Sequence, residues 1–302
     1  MSNDISFSSD FWSWWIIVLT LGNIAFCWWL IVWTMKKRGG EAASGNVTGH
    51  TWDESLQEYN NPLPRWWLWL FYITMIFAVV YLLLYPGLGK FPGLLGWTGS
   101  GQYEQEMDRA EAQYGPIFAA YASRDIEDLA RDSEAAQVGQ RLFTNYCATC
   151  HGADAGGGIG FPSLRNDDWL WGGTPEAIKT SILDGRMGVM PPWGEVLGDQ
   201  GVDEVTAYVL TLNGREADPR MAEAGMTHFQ NMCAACHMPD GSGQQALGAP
   251  NLTNNIWLYG GSPGAIRQSI AQGRRGNMPA HRDFLGEDKA HVLAAYIYSL
   301  SQ

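Results

Sequence analysis

Residues Tyr146–Gly152 read "YCATCHG", and residues Met232–Met238 read "MCAACHM". Each stretch holds two cysteines separated by two residues, with a histidine directly after the second: Cys147, Cys150 and His151, then Cys233, Cys236 and His237. In this arrangement each thiol can add to one vinyl group of a haem, and the histidine is placed to ligate the iron from one face. Of the uses of a C-x-x-C pair, covalent haem attachment is the one that requires the trailing histidine. A zinc site would ask for further Cys or His at ligand spacing, and His228 and His281 occur in the second half only. A thioredoxin-type motif belongs in a βαβ pattern, and no convincing strands are legible between the motifs. A disulfide within each pair leaves the histidine without a purpose. The expected cofactors are therefore two covalently bound c-type haems.

The duplication extends beyond the motifs. "PSLRNDDWLWGGTPEAIKTSILDGRMGVMP" (162–191) aligns with "PNLTNNIWLYGGSPGAIRQSIAQGRRGNMP" (250–279), identical at 17 of 30 positions. The chain thus holds two copies of one small domain, expected at 136–214 and 215–302. At about 80 residues each, such a domain has a marginal core, and a large apolar cofactor would help it. The repeat also selects the second iron ligand. Met187 aligns with Arg275, which cannot ligate, whereas Met190 aligns with Met278, each before a proline. His/Met ligation raises the reduction potential, and six ligands leave no open position for oxygen. Pro162 and Pro250 can each offer a carbonyl to the ring nitrogen of the axial histidine. "YVLTL" (Tyr208–Leu212) and "YIYSL" (Tyr296–Leu300) read as terminal helices, each packing on the haem and the N-terminal helix of its own domain.

Ahead of the repeats the composition changes. No residue from Phe11 to Met35 is charged, and tryptophans crowd both ends of that run. Trp66–Tyr85 forms a second uncharged run of 20 residues. Both are long enough to cross a bilayer. Asp4 and Asp10 precede the first run and Lys36, Lys37 and Arg38 follow it, which argues against a cleaved signal peptide. With Arg65 at the start of the second run, the basic residues mark a shared cytoplasmic end. The N-terminus and everything after Tyr85 are then expected outside the cytoplasm. Cys27, within the first run, reads as a small buried hydrophobe. Residues 86–135 open with a Gly/Pro-rich turn, continue as helix from Gln102 to about Tyr121, and read as a solvated connector packing beside the next domain.

The net charge of −12 excludes a nucleic-acid-binding surface and favours a basic partner. Residues 136–214 carry four basic and nine acidic side chains, against seven of each in 215–302. An acidic face on the first repeat or on residues 86–135 is expected to steer a basic electron donor. The fold class expected overall is all-α, an N-terminal transmembrane helical hairpin followed by two tandem class I cytochrome c domains. A dihaem peroxidase or a haem-based gas sensor would need an open or labile iron position, which paired methionines argue against. A cytochrome subunit of another membrane dehydrogenase remains a rival on these features.

Across nearly its whole length the chain resembles subunit III of the cbb3-type cytochrome c oxidases. The most specific stretches are "GHTWDESLQEYNNPLPRWWLWLF" (Gly49–Phe71) and "YPGLGKFPGLLGW" (Tyr85–Trp97), on either side of the second apolar run. The resemblance implies a subunit of the bacterial inner membrane with its haem domains in the periplasm. It would take electrons from soluble or membrane-bound c-type cytochromes and pass them through the monohaem subunit II to subunit I, where oxygen is reduced and protons are pumped. It implies no active site in this chain, only a relay. It also implies the axial pairs His151/Met190 and His237/Met278, with Cys147, Cys150, Cys233 and Cys236 as thioether attachments. Gly49–Arg65, with His50, Trp52 and Asp53, is expected to dock against the catalytic subunit; the first helix would meet lipid or a small accessory subunit.

Overall fold

The computed structural model describes residues 8–36, 39–61 and 63–302; Asp4, Lys37 and Arg38 lie outside them. The chain divides into two compact units, Met1–Ala112 and Gln113–Gln302.

In the first unit, α1 (Asp10–Thr34) and α2 (Arg65–Leu84) are the two apolar runs, each long and apolar enough to cross a membrane. Both bury almost nothing within the protein: Ser13 and Ile31 on α1, Met75 on α2. Helices that are apolar all round and left uncovered suit lipid rather than water. Cys27 is half-buried on this lipid-suited helix, not in a core. The helices run antiparallel. Trp28 and Met35, late on α1, meet Tyr72, early on α2. At the other end Ser13 Oγ accepts from the Lys90 amide at 2.9 Å, and Lys90 pairs with Asp10. Between the helices, β1 (Val47–Trp52) and β2 (Leu56–Tyr59) form an antiparallel hairpin whose turn places Asp53 and Glu54 at positive φ, as a tight primed turn requires. Trp52, Leu56 and Tyr59 stand exposed on it. Beyond α2, the Leu94 and Leu95 amides return to the carbonyls of Leu83 and Leu84, capping that helix.

α3 (Gly99–Ala122) spans the division, and in the second unit its Phe118 and Tyr121 pack on a buried core. α4 (Ile126–Ala130) places Ile126 and the fully buried Leu129 inside that core, so the end of the expected connector is part of the core itself. The first repeat supplies α5 (Ser133–Tyr146), α6 (Ala148–His151), α7 (Pro175–Asp184), β3 (Arg186–Met190) and α8 (Gly194–Leu212). The second supplies α9 (Pro219–His228), a π-turn over Phe229–Cys233, α10 (Ala234–His237), α11 (Pro263–Gln272), β4 (Arg274–Met278) and α12 (Arg282–Ser299). The chain is thus mostly helical. The two short antiparallel pairs correct the all-α expectation and place a strand, β3, between the two haem motifs.

That strand reroutes the chain. β3 pairs antiparallel with β4 in the register Arg186↔Met278, Gly188↔Gly276 and Met190↔Arg274, so equivalent residues are related about Gly188 and Gly276. Having passed β3, the chain crosses to the second repeat: the Trp193 amide donates to Ile270 O at 3.0 Å. Having passed β4 it crosses back, with the His281 amide on Ile182 O at 3.1 Å. The terminal helices are consequently exchanged. One core joins α5 and α7 to α12 through Phe143, Ile178, Ile182, Val292 and Leu293. The other joins α9 with its π-turn, and α11, to α8 through Phe229, Ile266, Ile270, Val202 and Val205. Each helix pair crosses at a glycine. A Cβ at Gly139 of α5 would collide with Tyr296 of α12, and one at Gly225 of α9 with the Glu204 carbonyl of α8. The expectation that each terminal helix packs on its own domain's first helix is therefore overturned. The repeats present near-identical apolar faces, so either partner satisfies the same core, and β3–β4 pairing decides in favour of exchange.

Candidate haem sites

α5 begins at Asp132, whose carboxylate accepts from the Glu134 and Ala135 amides, and its apolar stripe points Phe143 into the core. The helix ends at Tyr146, and one further turn, α6, brings Cys147, Cys150 and His151 onto one loop. In the second repeat the π-turn and α10 do the same for Cys233, Cys236 and His237. Both histidines are buried, each 8% exposed. After each, the chain turns back: Gly157 N donates to His151 O, and Gly243 N to His237 O. Both glycines have positive φ, and a Cβ on either would strike the following proline loop. The loops thereby set Pro162 O at 2.9 Å from His151 Nδ1, and Pro250 O at 3.1 Å from His237 Nδ1.

A carbonyl only accepts, so each neutral imidazole carries its proton on Nδ1 and presents the Nε2 lone pair. Burial is the main influence holding both histidines below the usual imidazole pKa. The Pro162 bond opposes it at His151, with His281 nearby adding to the depression, and the Pro250 bond opposes it at His237. Neutral imidazole is the ligating form. Burial, followed by the neighbouring thiol, pushes Cys147 and Cys233 up to about 11, whereas Cys150 and Cys236 are exposed. None of the four is disulfide-bonded. Among the described residues no group of three or more His, Cys, Asp or Glu is placed to hold a bare metal ion. One oriented nitrogen beside two free thiols suits iron that arrives within a porphyrin.

The β3–β4 ribbon carries the other expected ligands. Alternate residues on each strand face inward, and Met190 and Met278 are inward while Met187 is 58% exposed. Met190 packs around the second core with Cys233, Leu252 and Trp257, not around the first. Met278 leads directly into the loop that His281 fastens to α7, where Phe284 rests on Tyr146 beside the first motif, ring centroids 5.3 Å apart. Met190 thus borders the second core, while the chain that follows Met278 returns to the first. Three further side chains on or just after the ribbon had no role in the sequence reading. Arg186 and Arg274 were visible as an identical Gly-Arg pair in the repeat. His281, standing where the first repeat has Trp193, had only that difference as its signal.

Comparison with known proteins gives two family models. Residues 44–92 match the N-terminal domain of cytochrome oxidase-cbb3, FixP, and residues 134–209 and 220–297 match cytochrome c oxidase, cbb3-type, subunit III. Among curated relatives, the chain is similar to the cbb3-type cytochrome c oxidase subunit CcoP of Rubrivivax gelatinosus, 47% identical over 96% of this chain and 95% of the relative. It is 37% identical to subunit FixPc of Rhizobium leguminosarum bv. viciae, over 86% of this chain and 96% of that one. The corresponding CcoP of Cereibacter sphaeroides is 35% identical over 88% and 97%.

Proposed function

Since the chain belongs to subunit III of the cbb3-type cytochrome c oxidases, and is an electron-transfer subunit of that complex, we propose that it serves as a two-haem relay with no oxygen chemistry of its own. Cys147 and Cys150 would hold one haem and Cys233 and Cys236 the other, through thioethers. Bound haem supplies reversible one-electron exchange between ferric and ferrous iron. His151 and His237 would give Nε2 to the irons, held in tautomer and orientation by Pro162 and Pro250. The packing of the ribbon favours crossed axial pairs, His151 with Met278 and His237 with Met190, in place of pairs within each repeat.

The lipid-suited surfaces of α1 and α2 support two spans in the bacterial inner membrane. Lys36–Arg38 and Arg65 at one end favour a cytoplasmic β1–β2 hairpin and periplasmic haem domains. Electrons would come from a soluble or membrane-bound c-type cytochrome and leave through the monohaem subunit to the catalytic subunit. The acidic excess of residues 86–214 would favour a basic donor.

The observation that carries this reading is the duplicated buried histidine whose Nδ1 is fixed by a proline carbonyl beside two free thiols. The experiment is to purify the native complex through a tag on this chain and measure haem content and oxygen consumption with reduced cytochrome c together. Two haems c on this chain, with haem b in the complex and cyanide-sensitive turnover, are expected. An intact preparation with two haems c and no oxygen consumption would overturn the relay's place in an oxidase.

A further inference from the structure

Arg186 and Arg274 are equivalent residues, and the structure prepares both in the same way. Arg186 Nε donates to Ser181 Oγ at 2.9 Å, and Arg274 Nε to Ser269 Oγ at 2.9 Å. Each serine is itself tied to a helix carbonyl one turn back. The Arg186 guanidinium lies over the Trp171 ring, 5.2 Å from its centroid, and that of Arg274 lies 4.5 Å from the Tyr259 centroid. Both side chains are half-buried, and no carboxylate among the described residues pairs with either. By contrast Arg267 and Arg282 each hold two carboxylates at the surface. A partly desolvated guanidinium that is locked in place and lacks an anion is a prepared receptor for a planar carboxylate.

The ribbon register says which carboxylate. Arg186 shares the inward face with Met278, its partner across the ladder, and Arg274 shares it with Met190. The anionic groups that a haem would bring beside these methionines are its propionates. We propose that Arg186 and Arg274 each bind a propionate of the haem whose iron takes the methionine opposite them, Met278 and Met190 respectively. This rests on the two-haem reading above. The fixed cation would keep the propionate ionised at neutral pH and disfavour the extra positive charge of ferric iron. Removing it therefore lowers the potential of that haem and makes the potential fall as pH rises through the now-released propionate.

The test uses the complete oxidase carrying R186Q or R274Q. Haem content is measured first, then midpoint potentials between pH 6 and 8, and the propionate bending modes by resonance Raman. With both haems retained, each variant is expected to shift one haem only, a different one in each. The oxidised-to-reduced ratio at fixed ambient potential should rise about tenfold, which corresponds to about 59 mV for one electron. R186K, keeping charge but losing the fork, guards against a glutamine variant that does not assemble, and is expected to move the Raman modes with a smaller change in ratio. Unchanged potentials and Raman modes in assembled variants would overturn the assignment, as would both variants shifting the same haem. Wild-type chain without covalent haem would instead undo the parent reading.

Discussion

The two cores of the second unit are built from equivalent parts, but the chain closes them by different routes. In the second core, α8 and α9 are consecutive helices joined by a short turn, and α11 and β4 follow, so the core is one continuous stretch of chain. The first core begins at α4 and cannot be completed until α12, the last helix, returns to α5 and α7. The second core is therefore inserted within the first. The ion pairs follow the exchange: Arg267 of α11 reaches Asp199 and Asp203 of α8, while Lys179 of α7 reaches Glu287 of α12. Two copies of one sequence can thus share their main helices and strand and still differ in which copy completes which.

The largest test of this contrast concerns the methionines. Axial ligands set haem potentials over about 0.8 V. In a chain whose second haem is removed by Cys233→Ala with Cys236→Ala, Met278→Leu should lower the potential of the remaining haem by a few tenths of a volt, on the order of half that range. Met190→Leu should leave it nearly unmoved; redox titration decides, and the opposite result restores pairing within each repeat.

Next comes Leu293, fully buried in the first core though it belongs to the second repeat. Leu293→Ala should cost about 2–5 kcal/mol and loosen the haem on His151 before the one on His237, as followed by the Soret and methionine-ligation bands of each haem during thermal unfolding.

Alanine at the helix crossings should separate the cores further. Gly225→Ala forces a Cβ deep into the Glu204 carbonyl and should cost about 1–3 kcal/mol, more than Gly139→Ala, which overlaps the Tyr296 Cβ less deeply and meets the Val292 carbonyl at 3.1 Å. Equal falls in melting temperature would remove the distinction.

The smallest effect is electrostatic. The Lys179 ammonium hydrogen-bonded to Glu287, with Arg282 adding to it, holds that carboxyl below the usual glutamate range. A depressed folded pKa stabilises the fold above the unfolded value of about 4.3 and is lost as pH falls through the folded one. Glu287→Gln should thus flatten the acid limb of the first core's melting curve slightly, and less at high salt.

Much of this molecule was legible as residue patterns. The apolar runs became α1 and α2, and the Pro162 and Pro250 carbonyls meet His151 and His237 as their spacing suggested. On β3 Met190 turns inward and Met187 outward. What escaped was partnership. Tyr296–Leu300 read as a terminal helix with an apolar face, and nothing in that face distinguishes α5 from α9 as its target. The deciding contact is a five-residue strand pair, too short and too rich in Gly and Arg to announce itself as strand. Arg186 and Arg274 matched across the repeat, yet their lack of a carboxylate is a property of the folded chain alone.

The return of α12 bears on how this protein is made. Synthesis delivers domains from the N-terminus, and segments generally fold as their partners emerge. Here the first haem motif to be synthesised must wait for the last helix, while the later one finds its partners within a single span of chain. Every residue of the inserted core lengthens the loop that α5 and α12 must close, and such long-range closure is slow. The segment around Cys147 and Cys150 is therefore the later of the two to be covered by its partner helix.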